Sequence, residues 1–562
     1  MTVALHDLST ERRRRLTHRT APLAGAFAVV VVLVLLIGSC GASDEEQAGR
    51  RFAGAWQRSD WPAMYAELTG DAKQRYPLAA FVRAYRDAAA TATSTGILAG
   101  RARGSGSDAV IPITVRTRIF GPVRGELRLP VKDAHVKWEP YMAFPGLRPG
   151  EPLTRRSDPP RRAAILARDG SRIASGPADK RVVAPGPAAS IAGQVAPAAA
   201  GAAQDAVYAH GFPRAWPLGR NGLELIVDAR VAGTPGGTLM AGARPIAHAR
   251  PHPARPVRTT IDPVIQASAV NALAGRFGGI VALDARRAEV RALAGVAFSA
   301  PQPPGSTFKI VTASAALEAK VVKPSTPFPV STSARIDGVA LQNANGESCG
   351  GSFENSFVHS CNSVFAPTGV KVGAAKLVAM AERYGFNAPP ALPGAARSTL
   401  PAGDAVGSDL AVGSTAIGQG KVLATPLQMA MIAQTIATGG VQHAPTLLSG
   451  QAAGRPHRVV STGTAHTIRR FMIGVVRTGT GTSAAIPGVV VAGKTGTAEL
   501  GSTQGPTGSN QGAADTDAWF TSFAPALKPR IVVAALFVKA GAGGQTAAPA
   551  VRLVLQAGLQ RR

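Results

Sequence analysis

The spacing of apolar residues changes from a helical to a strand-like period within residues 44–154. Large apolar side chains first recur at approximately helical spacing, which indicates amphipathic helices. They are Phe52, Trp56, Met64, Tyr65, Leu68, Phe81 and Tyr85. Apolar and polar residues then alternate over residues 109–115 and 126–131, as in half-buried strands. This region is therefore expected to form a small α+β domain with the aromatic residues in its core.

Proline, alanine and glycine dominate residues 155–254, a composition that is common in flexible linkers. Two stretches nevertheless indicate regular structure. Residues 163–170 look like a strand that enters a turn, and residues 223–227 look like a strand or a short helix. We therefore expect a loosely built connecting domain.

Residues 255–562 show the sharpest pattern, and they predict a larger domain built on an antiparallel sheet. A helix is predicted over residues 262–277, and two strands flank a turn at 284–287. The predicted strands cover residues 280–283, 288–293, 489–491, 518–523 and 531–538, and a closing helix covers residues 549–559. Strands from both ends of this domain would have to meet in one sheet. With the N-terminal region, the chain is expected to be an α+β protein of several domains.

The N-terminus predicts an attachment to the cell membrane. Four arginines, Arg12 to Arg15, precede an uncharged run at residues 21–37 that is barely long enough to span a bilayer. The positive-inside rule then places residues 41–562 outside the cytoplasm. The run also fits a signal peptide, and residues 37–40 resemble a bacterial lipobox that ends at Cys40. Residues 1–43 are thus predicted to be a cytoplasmic basic tail followed by a transmembrane anchor, or by a lipoprotein signal with lipid on Cys40.

The net charge of +28 first suggests a nucleic-acid-binding protein. Apart from the N-terminal arginines, however, the basic residues are scattered singly, and no zinc-finger, RRM or helix-turn-helix pattern is recognisable. We therefore expect no nucleic-acid partner. A basic surface that faces anionic wall polymers or lipid headgroups explains the charge better.

Two further cysteines, Cys349 and Cys361, lie close together in the sequence. In an oxidising exterior they could form a disulfide that contributes about 3 kcal/mol to stability. The alternative is a pair of free buried thiols.

Ser306 is the candidate nucleophile. The run Pro303-Pro304-Gly305 ends a loop and predicts a helix that begins at Ser306, where free backbone N–H groups favour a developing negative charge. Lys309 would lie on the same helix face, within reach of the serine hydroxyl. To act as a base, its amine must be neutral near pH 7, which burial and a second nearby cation would favour.

Two later motifs make this assignment specific. Ser360-Cys361-Asn362 and then Lys494-Thr495-Gly496-Thr497 follow the Ser-x-x-Lys pair in the order that serine acyl-transfer enzymes of one type require. Each motif alone would be unremarkable, as a helix cap or as a strand end. Together they indicate an acyl-transfer site.

With these motifs the chain resembles the penicillin-binding proteins, serine transpeptidases that cross-link peptidoglycan and are acylated by β-lactams. The strings Thr260-Ile261-Asp262-Pro263, Gly418-Gln419-Gly420 and Ala518-Trp519-Phe520 agree with that family. The resemblance covers residues 255–562. It implies the penicillin-recognising serine transpeptidase fold, an antiparallel sheet flanked by helices with an additional all-α subdomain.

Upstream, residues 44–154 resemble the NTF2-like α+β domain that precedes the enzyme in one subgroup of class B penicillin-binding proteins. Residues 155–254 would then be the dimerisation or pedestal domain. Because no segment resembles a glycosyltransferase, the resemblance implies class B rather than class A.

The resemblance also implies the catalytic roles. Ser306 would attack the carbonyl of the penultimate D-alanine, and Lys309 would accept its proton. Ser360 would relay a proton to the leaving amine. Asn362 would bind the amide of the donor peptide, and Lys494 would supply positive potential and orient Ser360.

The substrate-binding segment would be Thr495-Gly496-Thr497, in which the two threonines hold the terminal carboxylate of the substrate. The backbone N–H groups of Ser306 and Thr497 would form the oxyanion hole. No metal and no organic cofactor is implied.

The resemblance implies that the protein is a peptidoglycan D,D-transpeptidase. Its implied partners are stem peptides, β-lactams, the plasma membrane and other proteins of cell-wall synthesis, such as a glycosyltransferase or a division or elongation complex. A β-lactamase or a β-lactam sensor of the same fold remains an alternative, although no residue is identifiable that would activate water for deacylation. A non-catalytic scaffold of wall synthesis is a further alternative. One departure from the family is the short connection between Leu293 and Pro303, which forms part of one wall of the groove.

Overall fold

The structure is a computed structural model that describes residues 42–390, 392–451, 454–499 and 516–561. The N-terminal arginines, the predicted anchor or signal segment and Cys40 lie outside these ranges. Inside them, no single helix combines the length and the apolarity of a membrane span. The helices Asn362–Val372 and Ala374–Arg383 reach the length and apolarity of a membrane span only when they are taken together, and they are bent against each other by 99°.

The chain divides into two compact units. Unit 1 comprises the chain up to Pro160 together with Ala198–Ala215 and Thr234–His252, and unit 2 comprises Arg161–Pro197, Trp216–Gly233 and the chain from Pro253 onward. The segment predicted as one connecting domain, residues 155–254, is therefore shared between the two units. The predicted domain boundaries themselves remain predictions.

Unit 1 begins with helices and continues with an antiparallel sheet. The helices are Asp44–Gln57, Trp61–Ala66, Gly70–Arg75 and Leu78–Ala92. The sheet strands are Ser94–Ala99, Arg103–Ser105, Asp108–Thr117, Pro122–Lys132 and His135–Val136, and Asp108–Thr117 lies between Ser94–Ala99 and Pro122–Lys132. Both predicted strands are confirmed and are slightly longer than expected.

Aromatic side chains fill the space between these helices and the sheet, as the apolar pattern predicted. Phe52, Phe81, Tyr85 and Trp138 are each no more than 2% exposed, and Phe81 and Trp138 pack edge to face with ring centroids 4.8 Å apart. The remainder of unit 1 contains a three-stranded sheet and one more helix. These elements are Leu153–Asp158, Gly236–Ala241, Arg244–Ala249 and the helix Ala202–Ala209.

Unit 2 begins with short elements. The strands are Ile165–Leu166, Arg172–Ser175, Val182–Val183, Val195–Pro197, Pro217–Gly219 and Val257–Arg258, and the helices are Ala189–Ala192, Gly222–Ile226 and Asp228–Val231. The segment at 223–227, predicted as a strand or a short helix, is thus mainly helical. The predicted strand and turn at 163–170 are confirmed, since Ile165–Leu166 is followed by a turn whose Gly170 N–H donates to Ala167 O.

The main sheet of unit 2 is five-stranded and antiparallel. In spatial order its strands are Val290–Gly295, Gly278–Asp284, Ile531–Phe537, Thr516–Ala524 and Ala492–Glu499. Strands from both ends of the domain therefore meet, as predicted. The strand predicted at 489–491 is wrong, because Val489 N–H donates to Ile486 O in a tight turn and the strand begins only at Ala492.

Helices cover both faces of this sheet. Pro263–Leu273 and Ala547–Gln560 pack with the strands in one apolar cluster, while Lys309–Glu318, Pro426–Ala437 and Thr462–Arg477 belong to a second. The first predicted helix is shorter than expected because Ala274 adopts a left-handed conformation after Leu273. The other elements of the unit are the helices Phe353–Val358, Asn362–Val372, Ala374–Arg383 and Asp409–Ala416 and the strands Pro327–Ser331, Ser333–Ile336, Val339–Gln342, Cys349–Ser352, Val441–Gln442 and His457–Arg458.

A cluster of buried charges lies in the small first part of unit 2. Glu224 accepts hydrogen bonds from Arg162 at 2.6 Å and from Arg181 at 2.6 Å, and Asp228 also pairs with Arg162 at 2.8 Å. The side chains of Arg162 and Glu224 are 1% and 0% exposed. A buried carboxylate and a buried guanidinium are tolerated only when each has its partner.

We predict that Glu224→Gln lowers the free energy of unfolding of unit 2 by about 3–5 kcal/mol, because it leaves buried guanidinium groups short of a carboxylate. Scanning calorimetry would record a fall in the midpoint of that unit's transition. Glu126→Gln is the matched control, since Glu126 is 60% exposed and its pair with Arg128 spans 3.9 Å. Equal midpoints for the two variants would contradict the prediction.

Candidate active site

Ser306 lies in a 3₁₀ turn, Gly305–Phe308, that leads directly into the helix Lys309–Glu318. The sequence predicted that the α-helix begins at Ser306, whereas the α-helical part begins at Lys309. The turn is fixed by Thr307, whose hydroxyl donates to Pro304 O at 2.6 Å. Ser306 is partly exposed while its neighbours on either side are buried.

Lys309 is fully buried and points toward the second predicted motif. Its Nζ donates to Ser360 O at 2.6 Å and to Asn362 Oδ1 at 2.6 Å, and Ser360 Oγ lies at 3.4 Å. Among the described residues, these three oxygens are the hydrogen-bond acceptors of the amine. In this structure Lys309 therefore links the nucleophile helix to Ser360 and Asn362 and is not hydrogen-bonded to Ser306.

Lys494, from the third motif, approaches Ser360 from the sheet. Its Nζ donates to Ser360 Oγ at 2.8 Å and to Thr495 O at 3.0 Å. The hydroxyl of Ser360 thus lies between two buried amines. Lys309, Ser360, Asn362 and Lys494, which come from three separate motifs, form one continuous hydrogen-bonded group, and Ser306 is not part of it.

The environment of the two lysines favours their neutral forms. Burial, together with the charge of Lys494, holds the pKa of the Lys309 amine well below its ordinary value. Burial also lowers the pKa of the Lys494 amine to about 7. Each amine lies 5.6 Å from the centre of a phenyl ring, Lys309 over Phe365 and Lys494 over Phe357. An amine that is neutral near pH 7 can accept a proton from a serine.

Glycines allow the strand Ala492–Glu499 to lie directly against the nucleophile turn. A Cβ at Gly496 would be 2.7 Å from Pro304 O, and a Cβ at Gly305 would be 2.6 Å from Thr497 O. Gly305 also has a φ of +52°, which L side chains rarely adopt. Ser306 and Thr497 are therefore held side by side through backbone contacts.

The two threonines of the third motif, Thr495 and Thr497, contact residues that the sequence analysis did not predict to be at the site. The hydroxyls of Thr495 and Thr480 are 2.6 Å apart, and Thr497 Oγ1 accepts a hydrogen bond from Gly543 N–H at 3.4 Å. Gly543 fits only without a side chain, because its Cβ would lie 2.3 Å from Gly496 O. No motif marks Thr480 or Gly543, since both reach the site only through tertiary packing.

A disulfide joins Cys349 to Cys361, with the two Cα atoms 5.7 Å apart. The predicted bridge is confirmed, and the alternative of two free thiols is wrong. Cys361 is the central residue of the second motif, and Ser360 before it has a φ of +61°. The bridge therefore anchors the turn that presents Ser360 to both lysines.

The rest of the described chain offers no competing metal centre. Within residues 42–561 as described, no three or more histidine, cysteine, aspartate or glutamate side chains are grouped so that they could hold a metal ion.

Comparison with known proteins identifies the region around this site. Residues 278–556 match the family model of the penicillin-binding protein transpeptidase domain. Residues 278–556 form a penicillin-binding protein transpeptidase domain. All of the predicted site residues lie inside this range.

Curated relatives agree with this assignment of the transpeptidase domain. The peptidoglycan D,D-transpeptidase PbpA of Mycobacterium tuberculosis is 37% identical over 295 residues, which cover 47% of this chain and 56% of that protein. PbpA of Mycolicibacterium smegmatis is 36% identical over 294 residues, with the same coverage. The chain thus spans little more than half the length of the curated relatives that it matches.

Solved structures extend the similarity to a larger part of the chain. The crystal structure of PBPA from M. tuberculosis superposes with a TM-score of 0.56 at 26% identity and covers 71% of this chain and 100% of that one. The penicillin G acyl-enzyme complex of the same protein has a TM-score of 0.56 at 27% identity, with the same coverage. These neighbours share the mixed α/β architecture with an antiparallel sheet.

We predict that Gly496→Ala lowers the free energy of unfolding of the transpeptidase domain by about 1–3 kcal/mol, because the added methyl group must displace the backbone at Pro304. Scanning calorimetry would show that unit 2 unfolds with a lower midpoint temperature. Gly70→Ala serves as control, since nothing lies within 4 Å of its Cβ position. A Gly496→Ala variant as stable as the wild type would show that the strand and the turn are not in close contact.

Proposed function

We propose that this protein is a class B penicillin-binding protein, a peptidoglycan D,D-transpeptidase that forms an acyl-enzyme at Ser306. The observation that supports the proposal most directly is the position of the Ser360 hydroxyl between the amines of Lys309 and Lys494. The match of residues 278–556 to the transpeptidase domain supports it. So does the similarity to a penicillin-binding protein that has been crystallised as a penicillin G acyl-enzyme.

Acylation would proceed by proton transfers among these groups. Ser306 Oγ attacks the carbonyl of the penultimate D-alanine while the neutral amine of Lys309 takes its proton. As the C–N bond breaks, the terminal D-alanine leaves as an amine that receives a proton through Ser360. The Lys309 amine lies 3.4 Å from Ser360 Oγ and Lys494 donates to the same oxygen, which supports Ser360 as the relay for that proton. The amine of an acceptor peptide then attacks the ester and releases Ser306.

Substrate binding would use the strand beside the nucleophile. Thr495 and Thr497 would hold the terminal carboxylate, with Gly496 between them leaving room at the backbone. The backbone N–H groups of Ser306 and Thr497 would stabilise the oxyanion, a contribution worth about 2.7–4 kcal/mol for one donor. Asn362, which already accepts a hydrogen bond from Lys309, would bind the amide of the donor peptide.

The remaining regions complete the proposal. Residues 44–154 would be an NTF2-like domain, residues 155–254 a dimerisation or pedestal domain, and residues 255–562 the enzyme. The first 43 residues would attach the protein to the cell membrane by a transmembrane helix or by lipid on Cys40, with the enzyme outside the cytoplasm. Peptidoglycan stem peptides and β-lactams would be its ligands, and other proteins of wall synthesis its partners.

A purified sample treated with a fluorescent penicillin tests the enzyme directly. We expect a covalent label that persists for many minutes in the wild type and is absent in Ser306→Ala. Ser299→Ala, an exposed serine in the preceding connection, is the control and should be labelled normally. An unlabelled wild type would refute the proposal, and rapid loss of the label with a ring-opened product would indicate a β-lactamase instead.

The pH dependence of acylation tests the role of the two lysines. In Lys494→Met the positive charge that lowers the pKa of Lys309 is lost, so that pKa should rise. Because only the neutral amine accepts a proton, the acidic limb of the acylation profile should move to higher pH. Rates of penicillin labelling between acidic and alkaline pH measure this shift, with Lys371→Ala, an exposed lysine, as control. An unmoved limb would show that Lys309 is not the base.

A further inference from the structure

Unit 1 contains a cavity of about 280 Å³ that the proposed transpeptidase reaction does not use. It lies at the end of the helix Asp44–Gln57, beside the helix Leu78–Ala92 and the strand Ser94–Ala99. Ligand pockets in proteins occupy roughly 300–1,000 Å³, so this cavity is at the small end of that range. It has room for one ring-sized group rather than for a peptide.

Aromatic side chains form the walls of the cavity. Trp56, Trp61, Tyr85 and Phe144 all line it. The rings of Trp56 and Tyr85 are 5.2 Å apart and nearly perpendicular, while Trp61 is tilted by 36° against Tyr85 at 5.7 Å. Ring faces and ring edges therefore border the same small space.

The two indole N–H groups of this wall are not used within the described part of the protein. Among the described residues, none accepts a hydrogen bond from the indole N–H of Trp56 or of Trp61, although Trp56 is only 8% exposed. Tyr85 accepts a hydrogen bond from Trp138 Nε1 at 3.0 Å, so its own O–H hydrogen remains free to donate. Burial raises the pKa of the Tyr85 hydroxyl above its ordinary value, which keeps that hydrogen in place. Unused donors at a cavity wall favour a ligand that brings acceptors.

The mouth of the cavity is shaped by a strand irregularity. The pairing of Ser94–Ala99 with its neighbour shifts register between Ser94 and Gly96, and Ser94, Thr95 and Gly96 all line the opening. Such bulges re-aim side chains and are common beside binding sites. The hydroxyls of Ser94 and Thr95 belong to this rim, where Thr95 donates to Arg116 O and Ser94 accepts from Gly96 N–H.

The lining carries no formal charge, which sets it apart from the rest of this chain. Among the described residues that border the cavity, none is lysine, arginine, aspartate, glutamate or histidine, while the whole chain has a net charge of +28. Arg116 reaches Gly96 from outside and does not line the cavity. An anion would find no partner inside, and an unbranched apolar chain would leave the indole and phenol donors unsatisfied.

We propose that this cavity binds an uncharged pyranose of the N-acetylhexosamine class, as a single unit of a glycan. The apolar face of a pyranose ring packs on the aromatic rings of the lining, and its hydroxyls and acetamido carbonyl accept hydrogen bonds from the indole N–H groups of Trp56 and Trp61. The acetamido methyl group fits the apolar part of the lining, at Ile97 and Val115. The N-terminal unit is thereby a glycan-binding module, a function separate from the acyl transfer at Ser306.

The test uses the full-length protein and the β-1,4-linked tetramer of N-acetylglucosamine as probe. Saturation-transfer NMR and tryptophan fluorescence should both show saturable binding. Trp61→Ala, at a partly exposed position, should weaken binding roughly tenfold, because it removes one ring face and one donor. Trp61→Phe keeps a ring but loses the N–H, and its affinity should lie between those of the wild type and Trp61→Ala.

Phe120→Ala is the matched control, a partly exposed aromatic residue of the same unit that does not line the cavity, and it should bind the tetramer like the wild type. All variants are checked by calorimetry for an unchanged transition of unit 1 and for normal penicillin labelling, so a failure of the glycan site is distinguishable from a failure of the enzyme. Glucosamine, which is cationic, and lauric acid, which is an apolar chain, are measured alongside. The proposal is overturned if the tetramer does not bind up to its solubility limit, if Trp61→Ala binds it like the wild type, or if lauric acid alone binds in a Trp61-dependent way.

Discussion

The burial of two lysine amines side by side is the constraint on which this site depends. An ammonium group taken out of water is unstable unless it loses its proton or finds strong acceptors. Here both responses operate, because the amines of Lys309 and Lys494 converge on Ser360 and because burial lowers the pKa of each. The same desolvation that costs stability therefore favours the neutral form of each amine. Elements that bury these amines, such as the phenyl rings of Phe357 and Phe365, are therefore part of the chemistry.

Holding these groups together requires segments that are far apart in the chain. Lys309 follows the turn that contains Ser306, Ser360 lies in a turn anchored by the disulfide, and Lys494 belongs to a strand near the end of the domain. The sheet joins them, since it draws strands from both ends of the domain into one layer. Glycines then set the final distance between the strand and the turn, because any side chain at 305 or 496 would overlap with backbone oxygen atoms.

Motif residues and strongly periodic elements could be predicted from the sequence, because both depend on local order. The aromatic helices of unit 1 and the strands at 280–283, 518–523 and 531–538 were found by their period. The strand at 489–491 was misplaced, since a short apolar run does not reveal that Val489 closes a tight turn. Thr480 and Gly543 could not be found, because their proximity to the third motif arises only from tertiary packing. The proline- and alanine-rich region has little periodicity, so its elements are hard to predict. Composition alone also does not show that Arg162, Arg181 and Glu224 form a buried cluster.

The position of Ala492–Glu499 in the sheet has a consequence for recognition. It is the last strand in the order of the five, and among the described strands it pairs on one side only, with Thr516–Ala524. The strand thus has an unpaired edge, although Thr495 O already accepts a hydrogen bond from Lys494, and an extended peptide can add to such an edge as a further strand by β-augmentation. Main-chain pairing of this kind is largely indifferent to side chains. A peptide bound along such an edge is recognised mainly through its main-chain hydrogen bonds. Its side chains can therefore vary without loss of this pairing.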